Sequence, residues 1–335
     1  MKLWEKIIHF IDTLHLYFGN AKFDWGVDSF TEEKVSSPEK FLKKIAKDAI
    51  ARGDDFFSFK IPSDFKLKDD ELSFTSPAVY KGQNEKNKVA YAKIFPAKNN
   101  KGRVVVVVPY WRAESKSFIS LCKALPYFGI TAVRLTLPYH EARGVDENWK
   151  YENNLVSGNI GLTIQAVRQA TLDLRAIVYW LKKNGYPRIG LFGSSIGSCI
   201  AFLTGVHEPD VKSIFCLHMS SFFGDVVWRG ISTKHIRRCL EPHTTLSDLH
   251  NFWSAVSPFY YVKKLRGSEQ KHSFVVGKYD VTFPYDLTEK VFEEYDRHNI
   301  PYSKKVLPVG HFTLRYNPFK YWIFAMIIKH FKSTL

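Results

Sequence analysis

A serine flanked by glycines stands where an apolar run gives way to a helical pattern. Residues 193–197, GSSIG, match the spacing G-x-S-x-G and directly follow the run RIGLF. Between a strand and a helix, this spacing is typical of a tight turn that projects a serine hydroxyl from a sheet as a nucleophile. We predict that nucleophile to be Ser195, because Ser194 occupies the wrong slot between the glycines. A purely structural turn serine is the alternative.

A serine nucleophile needs a base within hydrogen-bond reach and an acid that orients the base. Two downstream loops offer these groups, since SFVVGKYDVTFP carries Asp280 just after one strand pattern and KVLPVGHFTL carries His311 just after another. We predict Asp280 as the acid and His311 as the base. Two alternatives stay open: Asp286 is the acid while Asp280 caps a turn, or His311 is a surface-loop histidine.

The negative oxygen that forms during attack on a carbonyl needs backbone N–H donors. Ile196, which follows the serine at the start of a predicted helix, is expected to supply one of them. The second is expected from the loop after the β-branched run RVVVVV (103–108), which continues as PYWR. Pro109 has no N–H, so Trp111 is the first choice by position and Tyr110 the second.

Three polar residues near the ends of predicted strands are candidates for binding substrate. His140 and Arg143 follow the strand pattern ITAVRLTL, and His218 ends the pattern VKSIFCLHM. His140 and Arg143 suit a carboxylate or phosphate on the substrate, whereas an ion pair with Glu141 or Asp146 is the structural alternative. His218 either lines the pocket or is a satisfied core histidine.

The elements that must position these residues alternate between strand and helix patterns. The β-branched run 103–108 predicts a strand buried on both faces, and apolar residues at helical spacing predict a long helix over about 160–181. This alternation favours an α/β fold, a mostly parallel twisted sheet with helices on both faces. Residues 1–70 are predicted to form a helical N-terminal extension and 71–335 the α/β domain. Residues 220–265 break the alternation, and we interpret them as a small helical cap inserted over the site.

Taken together, these motifs resemble the α/β-hydrolase superfamily over roughly residues 75–332. The stretches SPFYY, SFVVGKYDVTFP and VLPVGHF resemble its dienelactone-hydrolase and prolyl-oligopeptidase-like branches, where the base follows a small residue, as His311 follows Gly310 here. The segment LPYHEARG is similar to a eukaryotic α/β-hydrolase-domain group. The resemblance implies the chain order nucleophile, acid, base, which Ser195, Asp280 and His311 satisfy. The chain departs from the family at PYWR, where many members carry His-Gly.

The composition narrows the classes of ligand and partner. The chain has 48 Lys and Arg against 33 Asp and Glu, a net charge of +15, which favours anionic partners. A basic, solvated surface without such a partner is the more ordinary interpretation. Zinc-finger, RNP, HExxH, EF-hand, Walker and strand-following GxGxxG motifs are all absent from the sequence. We therefore expect no nucleic-acid partner, no metal and no cofactor.

Cysteine usage and the chain ends bear on location. The four cysteines, at positions 122, 199, 216 and 239, form no CxxC pair, which is typical of buried thiols in a reducing compartment. Charged residues interrupt the first 20 residues, which argues against a signal peptide. The C-terminal stretch YWIFAMIIKHF is too short to span a bilayer. The expectation is a cytoplasmic protein.

The N-terminal segment has a helical pattern of its own. Its apolar residues recur at helical spacing, namely Leu3, Ile7, Ile11 and Leu14. A cationic, aromatic-rich helix of this kind either packs on its own domain or lies on a membrane surface as a peripheral contact. The sequence leaves both interpretations open.

The function predicted from the sequence is a serine esterase or lipase-like hydrolase that cleaves a carboxylic ester through an acyl-enzyme intermediate. Aromatic residues around the cap favour a small-molecule ester with an apolar acyl group, and the positive charge favours an anionic portion of that ester. These aromatic residues are Phe222, Phe223, Trp228, Trp253, Phe259, Tyr260 and Tyr261. Packing of the cap on the core is the alternative role for them. A peptidase or amidase with the same triad is one alternative. A non-catalytic binding protein that keeps the fold is another, although a complete set of serine, acid and histidine argues against it.

Overall fold

A single mixed sheet organises the chain. The computed structural model describes residues 3–15, 19, 21–144 and 154–335. The strands in this part of the chain are β1 (Lys66–Lys68), β2 (Glu71–Thr75), β3 (Val89–Phe95), β4 (Arg103–Val108), β5 (Thr131–Leu135), β6 (Arg188–Ser194), β7 (Val211–Leu217), β8 (Lys271–Gly277) and β9 (Tyr302–Leu307). They lie in the order β1-β2-β3-β5-β4-β6-β7-β8-β9. The strands from β5 to β9 in that order pair in parallel, and β1 to β3 add an antiparallel edge.

Helices follow most of the parallel strands, as the alternation predicts. The described α-helices are α1 (Leu3–Thr13), α2 (Pro38–Ala51), α3 (Gly53–Phe56), α4 (Ile119–Ala124), α5 (Ile160–Lys183), α6 (Ile196–Gly205), α7 (Phe223–Arg229), α8 (Lys234–Leu240), α9 (Leu246–Phe252), α10 (Tyr285–Arg297) and α11 (Phe319–Thr334). The predicted long helix corresponds to α5, which the Asn159 side chain caps by accepting the Leu162 N–H at 2.8 Å. None of the helices described is long and apolar enough to cross a membrane.

The central strand β4 shows why the sheet is covered on both faces. Every position from Val104 to Val108 is buried. Val104 and Val106 pack in one apolar cluster with α5, α6 and α10, while Val105 and Val107 pack in a second cluster with α4 and α11. Because successive side chains of a strand point to opposite faces, a run of valines supplies both clusters at once. The prediction of an α/β fold with helices on both faces is confirmed.

Two helical segments are added to the sheet, one before β1 and one between β7 and β8. Helices α1, α2 and α3 precede the first strand, and β1 begins at Lys66, slightly before the predicted boundary at residue 70. Between β7 and β8 the chain forms α7, α8 and α9, followed by 3-10 helices at Trp253–Val256 and Pro258–Leu265. This is the helical cap predicted for 220–265. The division into an N-terminal extension and a hydrolytic domain stays a prediction.

Candidate active site

The turn between β6 and α6 holds Ser195 in a backbone conformation that few residues adopt. Its φ is 56° and its ψ −124°, and its N–H donates to the Leu217 carbonyl at 2.8 Å. A Cβ on Gly193 would come within 2.3 Å of the Gly197 carbonyl oxygen, and a Cβ on Gly197 within 2.3 Å of the Val108 carbonyl oxygen. Both flanking positions therefore require glycine, and the turn is the strained strand-to-helix elbow that exposes a serine hydroxyl.

Three side chains from three loops form a continuous hydrogen-bonded chain. The Ser195 Oγ lies 3.1 Å from His311 Nε2, and His311 Nδ1 lies 2.7 Å from Asp280 Oδ2. The loop after β8 fixes the acid, because Asp280 Oδ1 accepts the N–H groups of Thr282 and Phe283 at 2.8 and 2.7 Å. The structure thus brings together the predicted nucleophile, base and acid with the geometry that proton transfer from serine requires.

The alternative acid lies elsewhere. Asp286, in the first turn of α10, forms a bidentate ion pair with Arg229 at 2.7 and 2.8 Å, and its side chain is mostly exposed. A surface carboxylate held by arginine is not available to orient His311.

His218 has a different place from the one predicted for it. It follows β7 with a φ of 59°, and its Nδ1 lies 2.9 Å from the same Asp280 Oδ2 that contacts His311. Its ring stacks on the His311 ring with centroids 4.3 Å apart. The residue is buried and is not among those that line the cavity at Ser195. It is therefore a second histidine on the acid rather than a substrate ligand.

Burial and two imidazoles determine the charge state of Asp280. Burial raises the pKa of its carboxyl, but the charges and hydrogen bonds of His311 and His218 outweigh burial and hold the pKa well below its usual range. Burial and the neighbouring His311 in turn lower the pKa of His218. The acid therefore stays ionised at neutral pH while His218 is neutral, so the carboxylate can stabilise a positive charge on His311.

An additional carboxylate, which the sequence pattern does not indicate, contacts the loop that carries His311. Asp12 on α1 is fully buried, and its Oδ2 and Oδ1 accept the backbone N–H groups of His311 and Phe312 at 2.7 and 3.1 Å. A Cβ on Gly310 would lie 2.2 Å from Asp12 Oδ2, so the close approach depends on glycine there. The available signal was an acidic residue within an otherwise amphipathic helix, but nothing near it in sequence indicates its partner.

The loop after β4 passes over the start of α6. Because Ile196 is the first residue of α6, its N–H has no carbonyl four residues earlier within the helix. Trp111 lines the cavity beside Ser195, which agrees with its position as first choice of second donor. The Tyr110 side chain lies apart from that cavity, with its hydroxyl 3.0 Å from Ser117 Oγ. The oxyanion donors themselves stay predictions.

His140 supports this loop instead of binding substrate. It is 1% exposed, its Nδ1 lies 2.8 Å from the Pro138 carbonyl, and its Nε2 accepts the Arg112 N–H at 2.8 Å. Burial lowers the pKa of His140 to about 4, so the ring is neutral and can act as an acceptor at neutral pH. The substrate-binding prediction for His140 is wrong, because both ring nitrogens are engaged by the protein.

Arg143 is likewise structural. It is fully buried and forms an ion pair with Asp173 of α5 at 2.8 Å, and it donates to the carbonyls of Thr136 and Asn87. The prediction that it binds substrate is wrong, and so is the proposed pairing with Glu141, which contacts Arg134. The other suggested partner, Asp146, lies outside the described residues.

The cavity at Ser195 is mostly apolar. Its walls come from the loop after β4, the segment before α5, the cap and the loop after β8, and they include Trp111, Val156, Phe222, Phe223, Val226 and Phe283. Two of the cap aromatics predicted for an acyl pocket, Phe222 and Phe223, do line it. Trp253 instead packs in the core with its Nε1 donating to the Ile160 carbonyl at 3.1 Å. The site can therefore accept an apolar group next to the serine hydroxyl.

One cluster in the described part of the chain has the composition of a metal site. Ligand atoms of His218, Asp280 and His311 lie within 4.8 Å of one another. Both Nδ1 atoms, however, already contact the same Asp280 oxygen, and His311 Nε2 contacts Ser195. These contacts suit a hydrogen-bonded relay, and the expectation that the chain needs no metal stays a prediction.

Comparison with known proteins supports an assignment of the fold. The chain matches no family model. A 55-residue segment is 42% identical to the histidine permease HisP of Lactococcus lactis, but it spans 16% of this chain and 11% of that protein, too little to assign a family. Among solved structures, acetyl xylan esterase 1 from a Thermoanaerobacterium species superposes with a TM-score of 0.63 at 14% identity, covering 90% of this chain and 99% of the esterase.

Two further structures show the same architecture. The α/β hydrolase GrgF from a Penicillium species has a TM-score of 0.54 at 14% identity, over 73% of this chain and 94% of GrgF. The chain has the α/β-hydrolase fold. Pyrococcus horikoshii acylaminoacyl peptidase gives a TM-score of 0.59 at 13% identity over 85% of this chain, which spans only 43% of that peptidase. The predicted α/β-hydrolase fold is thus confirmed, and Ser195 occupies the elbow of that fold.

Proposed function

We propose that this protein is a serine hydrolase that cleaves a carboxylic ester through an acyl-enzyme intermediate. The observation that carries the proposal is the placement of His311, whose two ring nitrogens contact the Ser195 hydroxyl at 3.1 Å and the Asp280 carboxylate at 2.7 Å. An activated serine of this kind attacks carbonyl carbon.

In the proposed mechanism, protons move through the hydrogen bond between Ser195 and His311. Ser195 Oγ attacks the carbonyl carbon while His311 Nε2 takes the hydroxyl proton, and the C=O electron pair moves to oxygen. The tetrahedral adduct collapses as His311 returns the proton to the leaving alcohol. A water then attacks the acyl group by the same path and regenerates Ser195. Asp280 stays ionised throughout and stabilises the imidazolium.

The oxyanion would be held by backbone amides at the start of α6 and in the loop after β4. Ile196 N–H belongs to the helix N-terminus, where the helix dipole favours negative charge. Trp111 N–H is the proposed second donor, with Tyr110 N–H as the alternative. His140 would act indirectly, since its contact with the Arg112 N–H fixes the loop.

The lining of the cavity supports an apolar acyl group. The side chains around Ser195 are chiefly aromatic and aliphatic, and burying an apolar chain against them is favourable by about 25 cal/mol per Å². The most similar fold among the structures above belongs to an esterase. A peptidase also shares the fold, so an amide is the second candidate for the bond that is cleaved.

Labelling with a fluorophosphonate probe tests the proposal directly. We expect covalent labelling of the wild-type chain and loss of labelling in Ser195→Ala. Ser194→Ala is the matched control, because it removes the adjacent buried hydroxyl and should leave labelling intact. If the folded wild-type chain does not label, the non-catalytic interpretation is favoured over the hydrolase. Esters and anilides of the same acyl series then separate esterase from amidase activity.

A further inference from the structure

Helix α1 is amphipathic in a way that the sequence pattern did not indicate. The side that packs on the protein carries Ile8 and Asp12, which are fully buried. The opposite side and the residue after the helix expose large apolar side chains, with fractional exposures of 41–75%. They are Leu3, Trp4, Ile7, Phe10 and Leu14. The predicted apolar stripe therefore points mainly into solvent, not into the domain.

A second group of exposed aromatic residues surrounds α11. Their fractional exposures run from 38% to 88%, and they are Tyr127, Phe128, Tyr316, Tyr321 and Trp322. The Lys332 ammonium of α11 lies 5.8 Å from the centroid of the Phe128 ring, which places 127–128 beside that helix. We call this group together with the exposed side of α1 the docking face.

Direct contacts join the two parts of the docking face. Trp4 Nε1 donates to the Pro308 carbonyl at 2.8 Å. At the other end of α1, His15 Nε2 lies 3.1 Å from the Tyr316 hydroxyl and 3.0 Å from Arg315. Tyr316 lies three residues before α11, and its carbonyl accepts the Lys320 N–H of that helix. The end of α1 therefore lies against the segment that leads into α11.

Exposed apolar groups are concentrated on this face. Ten of the fourteen large apolar side chains exposed on the described part of the chain belong to it. The others include Leu67 and Val79, which lie near β1 and β2 at the opposite edge of the sheet from β9 and α1. Such a concentration of exposed apolar side chains on the elements around α1 and α11 marks an interaction site rather than ordinary surface variation.

The C-terminal segment that carries α11 is cationic. Residues 297–335, which include β9 and α11, contain no Asp or Glu. Arg297 pairs with Glu294 of α10, and the remaining six cationic side chains of this segment are Lys304, Lys305, Arg315, Lys320, Lys329 and Lys332. Cations beside an apolar surface are attracted to anionic lipid headgroups by about 1 kcal/mol each, whereas they repel a like-charged copy of the same face.

We propose that the docking face binds the surface of an anionic lipid bilayer. The exposed side of α1 would lie in the headgroup region with its apolar side chains among the acyl chains, as amphipathic helices do. Tyr and Trp side chains favour the same depth, because one end of each ring is apolar and the other polar. The occupant is a lipid surface, and its recognition uses none of the residues at Ser195.

Flotation of the full chain with vesicles tests the proposal. We expect the chain to float with vesicles of phosphatidylcholine that contain about a third phosphatidylglycerol, and to float far less with phosphatidylcholine alone. High salt should reduce the bound fraction, because it screens the cationic contribution. Ser195→Ala should float like wild type, so that a failed hydrolase proposal and a failed docking proposal are distinguishable.

Matched variants separate this face from the rest of the surface. Phe10→Ser with Trp322→Ser should lower the partition coefficient at least about tenfold, and Lys320→Glu with Lys329→Glu should lower it comparably. Leu67→Ser with Val79→Ser removes exposed apolar side chains from the opposite edge and should change nothing. The proposal is overturned if the folded chain ignores anionic vesicles or if the control pair is equally impaired. Light scattering that shows dimers dissociated by the docking-face variants would assign the face to a second copy instead.

Discussion

The Asp12 carboxylate holds the backbone of His311 across 299 residues of chain. Its Oδ2 accepts the His311 N–H at 2.7 Å and its Oδ1 accepts the Phe312 N–H at 3.1 Å. Burial raises the pKa of Asp12, and the two backbone hydrogen bonds oppose that shift while the nearby charge of Asp280 adds to it. The position of the proposed base thus depends on the first helix of the protein.

Replacement of Asp12 should impair the chemical step more than substrate binding. Asp12→Ala leaves two buried N–H groups without their acceptor, and each such loss is worth about 1–3 kcal/mol. We expect kcat on an activated ester, and the rate of fluorophosphonate labelling, to fall by about 10- to 100-fold with little change in KM. Asp12→Asn, which keeps one acceptor oxygen, should lie between Ala and wild type.

Two further variants make this expectation specific. Glu5→Gln alters another acidic residue of α1 that lies partly exposed and should leave the rate unchanged. Gly310→Ala should reproduce the Asp12→Ala defect, because the added Cβ would lie 2.2 Å from the Asp12 carboxylate and displace it. Equal rates for Asp12→Ala and wild type would show that the loop keeps its geometry without α1.

His218 should influence the pH dependence of the reaction through the shared acid. His218→Phe removes one of the two imidazoles that lower the pKa of Asp280, while a ring can still stack on His311. The pKa of Asp280 should therefore rise toward its ordinary value, and the low-pH end of the acid limb of kcat/KM, where this carboxylate takes up a proton, should move to higher pH. We expect a reduction of kcat/KM of about tenfold at neutral pH.

A half-buried histidine elsewhere in the fold provides the control for that profile. His298→Phe removes a partner of Glu294 on α10, remote from the serine, and should leave the limb in place. A profile for His218→Phe that coincides with wild type would mean that the second imidazole does not act on Asp280.

The site residues that local sequence indicates are those fixed by local geometry. The spacing around Ser195 specifies an elbow, since Gly193 and Gly197 are required by contacts within the same turn and its neighbouring strand. Asp280 and His311 follow strands, and parallel strands present their carboxyl ends at one edge of a sheet. Because these features depend on a few neighbouring residues, the local sequence is sufficient to predict them.

The residues that sequence placed wrongly have partners far along the chain. Arg143 is predicted to bind an anionic substrate group, but it pairs with Asp173 of α5. His140 is predicted to bind substrate, but its Nε2 accepts the Arg112 N–H. The Asp12 carboxylate accepts hydrogen bonds from the backbone of His311 and Phe312, and a backbone N–H gives no residue type that could indicate the contact. Periodicity predicted the α1 helix, but not which of its sides is buried, because a polar residue occupies the buried side.

His140 should be needed for the loop that faces the nucleophile. His140→Ala removes the acceptor of the Arg112 N–H, which is held at a positive φ of 67°, and releases the segment that carries Trp111. We expect kcat to fall by about 10- to 100-fold, the range for loss of one oxyanion donor or less. His140→Gln, which can still present an acceptor, should recover part of the rate in stopped-flow acylation. Equal acylation rates for His140→Ala and His140→Gln would show that the acceptor on residue 140 does not position the loop.

Buried neutral histidines should make the fold sensitive to acid. Burial lowers the pKa of His272 from its ordinary value of 6.5 to about 3, and burial lowers the pKa of other histidines to about 4, namely His140, His207, His235 and His330. Below pH 6.5 these histidines bind protons in the unfolded chain but stay neutral in the folded chain, so acid favours unfolding. Above pH 6.5 such a histidine is neutral in both states and costs no stability. As the pH falls from 6.5 toward the pKa of the histidine in the folded protein, each one lowers the free energy of unfolding by about 1.4 kcal/mol per pH unit.

The dependence of the free energy of unfolding on pH tests whether burial keeps His272 neutral in the folded protein. Urea unfolding between pH 7 and about pH 4 should show a free energy of unfolding that falls less steeply in His272→Phe than in wild type, by about one proton. Tyr295→Phe is the matched control, because it removes the same 2.7 Å hydrogen bond to His272 Nδ1 but keeps the imidazole. That variant should lose about 1 kcal/mol at every pH and keep the wild-type slope. If His272→Phe also keeps that slope, His272 is protonated in the folded protein and burial does not hold it neutral.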